Sequence, residues 1–219
     1  MIRPIPALAL AFALVATIAR AQEPYNGTPK TTLEGEDEKD EKWTVSLPIY
    51  AYVVPNDRDY IQPTLLADKG RLHLEARYNY EGIDTVSAWV GWNYAGGDEW
   101  AWRITPMAGV VAGDTRGVAP GYRGALGWKR FELYSEGEYL FATENSADSF
   151  FYNWSELTWS PFDAFRFGLV AQRTQLYKSD REINRGFMVG FTTKRMQFTA
   201  TVLNPDGESI IIGGLSFGL

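Results

Sequence analysis

The sequence predicts an all-β protein, an antiparallel up-and-down transmembrane β-barrel of about twelve strands, with ten as the competing count. Three observations carry this prediction. Apolar and polar residues alternate over many short runs, the connections between the runs alternate between short and long, and aromatic residues flank one set of turns.

The stretch Arg71–Tyr80 shows the alternation most clearly, with the sequence RLHLEARYNY. Every second residue from Leu72 is apolar or aromatic, and the residues between them are charged or polar. A strand places these two sets on opposite faces. A soluble barrel would keep the charged face in water. A membrane-spanning barrel would turn the apolar face to lipid and the charged face to the interior.

The first 42 residues are predicted to lie outside the barrel. Residues 1–21 have the form of a secretory signal peptide, with an early Arg, the apolar run Ala7–Ile18 and a small-residue cleavage motif. Residues 22–42 are predicted to form a disordered acidic linker, because LEGEDEKDEK shows no apolar periodicity. The barrel is assigned to residues 43–219.

Turn signals recur along the rest of the chain and separate runs rich in β-branched and aromatic residues. The second run is the weakest strand candidate, because it contains Pro63. The twelve predicted strands are Trp43–Val54, Tyr60–Ala67, Arg71–Tyr80, Thr85–Tyr94, Trp100–Val111, Pro120–Trp128, Phe131–Phe141, Phe150–Ser160, Ala164–Tyr177, Gly186–Thr193, Met196–Leu203 and Ser209–Leu219.

The connections alternate in length along most of the chain. Those after the even-numbered strands are short, such as Lys129-Arg130, whereas AGDTRGVA, ATENSADS, KSDREINR and NPDGES follow strands five, seven, nine and eleven. The connections after strands one and three are short or intermediate. A transmembrane barrel is expected to have tight turns on one side and longer loops on the other, and a sandwich has no reason to alternate.

Aromatic residues bracket the short turns and predict a girdle at one membrane interface. The last strand places Leu215, Phe217 and Leu219 on one face. The residues of the predicted girdle are Trp43, Tyr94, Trp100, Trp128, Phe131, Trp159 and Phe165.

With these features, residues 43–219 resemble a small outer-membrane β-barrel of a Gram-negative bacterium. The resemblance is to the class, and no member's site residues are carried over. It implies location in the outer membrane, contact with lipid and lipopolysaccharide, and insertion by the barrel-assembly machinery, which reads the last strand. The final residue of such strands is usually aromatic, and here it is Leu219.

The polar face of the strands supplies the predicted interior, in which acidic and basic side chains are nearly balanced. Buried charges must be paired or hydrated, so the interior is predicted to be either a salt-bridged plug or a narrow wet channel. The candidate lumen-lining residues are Arg71, His73, Glu75, Arg77, Arg103, Arg123, Glu132, Glu136, Glu138, Glu156 and Arg166.

Composition argues against several classes of function. The chain has no cysteine and one histidine, which makes a poor transition-metal site, and no cofactor is expected. A net charge of −6 argues against a nucleic-acid partner. His73 falls on the charged face between Arg71 and Glu75, where a structural hydrogen bond is favoured over catalysis.

The predicted function is a non-enzymatic barrel, either a narrow channel for small polar solutes or a structural barrel with a charged interior. Two alternatives stay open at this point. One is an outer-membrane-embedded enzyme that acts on lipid or lipopolysaccharide. The other is a soluble secreted barrel that binds a small ligand.

Overall fold

The computed structural model describes residues 42–144, 149–176 and 182–218. All regular structure in these ranges is β-strand, and no helix among them is long and apolar enough to cross a membrane. The strands are β1 (Thr44–Val53), β2 (Tyr60–Lys69), β3 (Leu72–Tyr78), β4 (Thr85–Trp92), β5 (Tyr94–Gly96), β6 (Trp100–Gly113), β7 (Gly117–Trp128), β8 (Phe131–Ala142), β9 (Phe150–Phe162), β10 (Phe165–Leu176), β11 (Glu182–Thr192), β12 (Met196–Leu203) and β13 (Ile210–Gly218).

The strands form one closed antiparallel barrel. From β1 to β4 and from β5 to β13 each strand pairs with the next in sequence, β1 pairs with β13, and β4 pairs with β6 rather than with β5. Strand β5 continues β4 after Asn93, in the same register on β6. The ladder is interrupted where Trp92 faces Pro106, which has no amide hydrogen to donate. Strands β4 and β5 therefore count as one interrupted strand of the barrel. The barrel has twelve strands around its circumference, which confirms the predicted twelve and rules out ten.

Two local predictions can be compared with the structure. Strand β7 begins at Gly117 rather than Pro120, so the predicted long connection AGDTRGVA is the short turn 114–116. Strand β2 is complete despite Pro63; only its pairing with β1 is interrupted, beside Pro48. The signal peptide and residues 22–41 of the linker lie outside the described residues and stay predictions.

The two ends of the barrel differ. One end, here called the turn end, carries the tight connections such as Gly70–Arg71 and Lys129–Arg130, together with both ends of the described chain. The opposite end, here called the loop end, carries longer connections such as 54–59, 79–84 and 204–209. This asymmetry is the one that the spacing of turn signals predicts.

The outer face of the barrel is an apolar belt. Exposed side chains along the strands are large and hydrophobic, for example Val90, Leu157 and Phe187. At the turn end Trp100 stacks on Trp128 with a centroid distance of 5.1 Å, and Trp128 adjoins Phe131. Soluble monomers do not expose continuous apolar surface of this extent, so the belt fits a lipid environment.

Adjacent glycines on β13 show the difference between the two faces. A Cβ on the inward Gly214 would overlap Thr199 Oγ1 and lie 2.8 Å from the Tyr50 ring, whereas a Cβ on the outward Gly213 meets nothing within 4 Å. We expect Gly214→Ala to destabilise the barrel by about 1–3 kcal/mol through overpacking and Gly213→Ala to be neutral. Unfolding in denaturant, followed by tryptophan fluorescence, checks both. Equal effects of the two variants would contradict the assigned faces.

Candidate functional site in the barrel interior

The structure places the predicted interior residues unevenly. Arg71 lies in the β2–β3 turn with an exposed side chain, so it does not join the others. Arg103 lies beside Asp68 and Asn93 around a small pocket at the turn end. The remaining nine are on the faces of β3, β7, β8, β9 and β10 that point away from the apolar belt: His73, Glu75, Arg77, Arg123, Glu132, Glu136, Glu138, Glu156 and Arg166.

The centre of the interior is a network of ion pairs, here called the charged cluster. Arg77 Nε lies 2.6 Å from Glu75 Oε2, and Arg77 Nη1 donates to Glu138 Oε2 at 2.8 Å. Arg123 Nε lies 2.7 Å from Glu75 Oε1 and Arg123 Nη2 lies 3.5 Å from Glu136. The cluster consists of Asp68, His73, Glu75, Arg77, Glu81, Arg123, Glu136 and Glu138.

These pairs span the barrel rather than follow the sheet. Arg77 is on β3 and Glu138 is on β8, and the two strands are not neighbours. The Arg77 and Glu75 side chains are 1% and 0% exposed. The guanidinium of Arg77 also stacks 4.1 Å from the centroid of Tyr80 and 4.3 Å from that of Trp89. The cluster therefore blocks this side of the interior with matched, hydrogen-bonded charge.

His73 is held between two carboxylates. Its Nδ1 lies 2.7 Å from Asp68 Oδ1 and its Nε2 lies 2.6 Å from Glu75 Oε1. When both carboxylates are ionised they only accept hydrogen bonds, so the ring donates through both nitrogens. Neither nitrogen is left to take a proton from a serine, which a hydrolase triad requires.

Two residues of the β3–β4 loop enter the interior, and the sequence prediction missed both. The alternation in Arg71–Tyr80 assigns Tyr80 to the apolar outer face. Asn79 has a positive φ of 56°, and this residue ends the strand geometry. Tyr80 then turns inward, and its hydroxyl donates to Glu136 at 2.6 Å. An Asn at a strand end is the signal that would have indicated the change of direction.

Glu81 follows Tyr80 into the barrel. Its Oε1 accepts hydrogen bonds from Ser87 Oγ at 2.6 Å and from Trp89 Nε1 at 3.2 Å, and it lies 3.5 Å from Arg77 Nη1. The β3–β4 loop therefore enters the interior of the barrel. It is tied to the interior at two consecutive side chains.

A polar cavity of about 130 Å³, here called the central cavity, lies beside the charged cluster. Glu132, Glu156 and Arg166 contribute to its wall together with Tyr and Thr side chains. Glu132 and Arg166 also line a cavity of about 520 Å³ that includes Lys129 and Asp163 of the turns. The two cavities are therefore adjacent, and the wider one lies at the turn end of the barrel.

Apolar side chains fill the part of the interior nearer the loop end. One group is centred on Leu203 and Met188, both buried, with Tyr52 stacked on Tyr60 at a centroid distance of 4.5 Å. A second group surrounds Leu140 and includes Trp89, Met107 and Val111. The interior near the loop end therefore combines these apolar groups with part of the charged cluster, because Glu81 belongs to the β3–β4 loop of that end.

Within the ranges that the structure describes, no group of three or more His, Cys, Asp or Glu side chains could hold a metal ion. The carboxylates of the charged cluster instead have arginine, tyrosine, serine and tryptophan partners. The chemistry of the interior is accordingly that of ion pairing and hydrogen bonding.

The barrel is similar to solved porin structures. It aligns with the KdgM porin at a TM-score of 0.57 and 11% identity over 80% of this chain and 99% of that one, and with the KdgM porin in complex with disordered oligogalacturonate at a TM-score of 0.60. The NanC porin aligns at 0.52 and 12% identity over 80% of this chain and all of that one. No family model matches the sequence. No curated protein matches it either.

At these identities the likeness shows the fold alone. The chain has the twelve-stranded fold of outer-membrane porins, and the resemblance to that class predicted from the sequence is confirmed.

Proposed function

We propose that this protein is a narrow, non-enzymatic channel of the bacterial outer membrane that admits small polar solutes. The observation that carries the proposal is the central cavity, which is polar, lies inside a closed barrel and shares wall residues with the wider cavity at the turn end.

The apolar belt supports the membrane location. Side chains such as Val110 (60% exposed) and Phe187 (59%) stand on the outer face, and charged side chains stand on the inner one. A soluble barrel that binds a ligand would carry the reverse pattern, because its exposed belt would face water. Detergent-dependent extraction from the membrane fraction is the expected behaviour.

We further propose that the turn end faces the periplasm and that strand β13 carries the signal for the barrel-assembly machinery. Leu215 and Phe217 are spaced two apart on that strand, and Leu219 lies outside the described residues. Lipid and lipopolysaccharide are the proposed surroundings of the belt, in keeping with porin architecture.

The charged cluster defines what the channel admits. Arg77, Glu75 and Glu138 fill one side of the interior, so we place the proposed path on the side of the central cavity. Small polar solutes suit a passage of this width. The oligogalacturonate of the KdgM complex is not transferred to this chain, because only the fold is shared and more glutamates than arginines line the central cavity.

The enzyme alternative receives no support from His73. Both its ring nitrogens are occupied by Asp68 and Glu75, and the ring lies inside the barrel rather than on the lipid-facing surface. His73→Ala is expected to remove no enzymatic activity.

Planar-bilayer recording tests the channel. We expect the refolded barrel to give discrete current steps with a conductance well below that of sixteen-stranded porins. Twelve strands enclose a narrower space, and side chains fill part of it. Heat-modifiable migration on a gel shows that each sample is folded. A folded sample that inserts and gives no steps would overturn the channel and leave the structural barrel.

A further inference from the structure

Six aromatic side chains line the central cavity: Tyr50, Tyr52, Tyr80, Tyr134, Tyr152 and Trp154. Tyr80 and Tyr152 meet edge to face with centroids 5.6 Å apart. The faces of aromatic rings carry partial negative charge and attract cations, most strongly where water is scarce. Arg77 already stands over the Tyr80 ring, and the other rings suit this polar cavity to an organic cation.

The carboxylates of the cavity add to this preference. Glu132, Glu136 and Glu156 face two guanidiniums, those of Arg123 and Arg166. Arg123 is shared with the charged cluster, because its Nε lies 2.7 Å from Glu75 Oε1 while its Nη2 lies 3.5 Å from Glu136 Oε2. The wall of the cavity therefore keeps an excess of negative charge.

The three carboxylates differ in how many hydrogen-bond donors they have. Glu136 accepts from Tyr80 and Tyr134, and Glu156 accepts from Trp154 Nε1 at 2.8 Å. Two buried atoms of the cavity wall have no hydrogen-bond partner among the described residues, Glu132 Oε2 and Arg166 Nε. Burying such an oxygen without a partner is costly, and a bound cation supplies the missing positive charge.

We infer that the central cavity binds a small organic cation, an amine or a quaternary ammonium ion, and that the channel is cation-selective as a result. The selectivity rests on the proposed channel function, whereas binding requires only the folded barrel. A cavity of about 130 Å³ holds one small ion and excludes an oligomer.

Calorimetry of the folded barrel in detergent tests binding with choline as the probe and 3,3-dimethylbutan-1-ol, its uncharged isostere, as the comparison. We expect choline to bind at least about ten times more tightly than the alcohol. The double variant Glu132→Gln/Glu156→Gln is expected to lose most of this difference. Glu99→Gln is the matched control, because Glu99 is an exposed turn residue that bonds Trp128 Nε1.

Equal binding of choline and the alcohol, or a double variant that binds choline like the unaltered protein, would overturn the site. Gel migration confirms that each variant is folded before it is titrated. The site is supported if the double variant loses choline binding and Glu99→Gln retains it.

Reversal potentials in a KCl gradient test the selectivity. We expect the unaltered channel to prefer K⁺ and the double variant to shift several-fold toward Cl⁻, with Glu99→Gln unchanged. A channel that conducts and prefers Cl⁻ would refute cation selectivity while the channel function stands. A folded barrel that binds choline and conducts nothing would refute the channel alone.

Discussion

Replacing Arg77 with Met is expected to destabilise the barrel by about 3–5 kcal/mol, the largest loss we predict for a single side chain. The substitution leaves Glu138 without the 2.8 Å hydrogen bond from Nη1 and removes one of the two guanidiniums that pair with Glu75. Both carboxylates are almost fully buried, so water does not replace the lost partner. Denaturant unfolding in detergent, followed by tryptophan fluorescence, measures the loss.

Two further variants make this prediction specific. Arg116→Met removes an arginine that pairs with Glu144 at 3.0 Å, but both side chains are more than half exposed, so the expected change stays within about 0.5 kcal/mol. In Arg77→Met/Glu138→Met the unpaired carboxylate is gone as well, and we expect the double variant to be more stable than Arg77→Met alone. Similar losses for Arg77→Met and Arg116→Met would show that the charged cluster contributes no more than a surface pair.

The strands were predictable because their pattern has a physical cause that acts on each residue separately. Lipid outside and charge inside impose a period of two, so a run such as Arg71–Tyr80 carries its own signal. The predicted faces and bounds are wrong where the backbone departs from regular strand geometry. The positive φ of Asn79 turns Tyr80 inward, and the interruption between β4 and β5 lies opposite Pro106.

The sequence predicts which charged side chains face the interior better than it predicts which of them form ion pairs with each other. The alternation places Glu75 and Arg123 on polar faces, but the distance of 2.7 Å between them depends on how β3 and β7 approach across the interior. Glu81 carries no strand pattern at all, because it lies in a loop. Its burial follows from hydrogen bonds to Ser87 and Trp89, which only the folded barrel brings near it.

Releasing the β3–β4 loop from the interior is expected to raise single-channel conductance by about twofold or more, because side chains set the width of a small pore. The variant is Tyr80→Ala/Glu81→Ala. It removes a ring that stands over Arg77 and bonds Glu136 at 2.6 Å, and a carboxylate anchored to Ser87 at 2.6 Å. The space that the ring vacates adjoins the central cavity, so the variant widens the proposed path there.

The matched control changes two loop residues that hold no position inside the barrel. Asn56 Nδ2 donates to Glu208 Oε1 at 2.8 Å between two exposed connections of the same end. Asn56→Ala/Glu208→Ala is therefore expected to leave conductance unchanged, although it too removes a hydrogen bond between loop-end residues. If the Tyr80/Glu81 variant folds and conducts like the unaltered protein, the β3–β4 loop does not obstruct the pore. If both double variants conduct more, general loosening of the loop end is responsible rather than the two inward side chains.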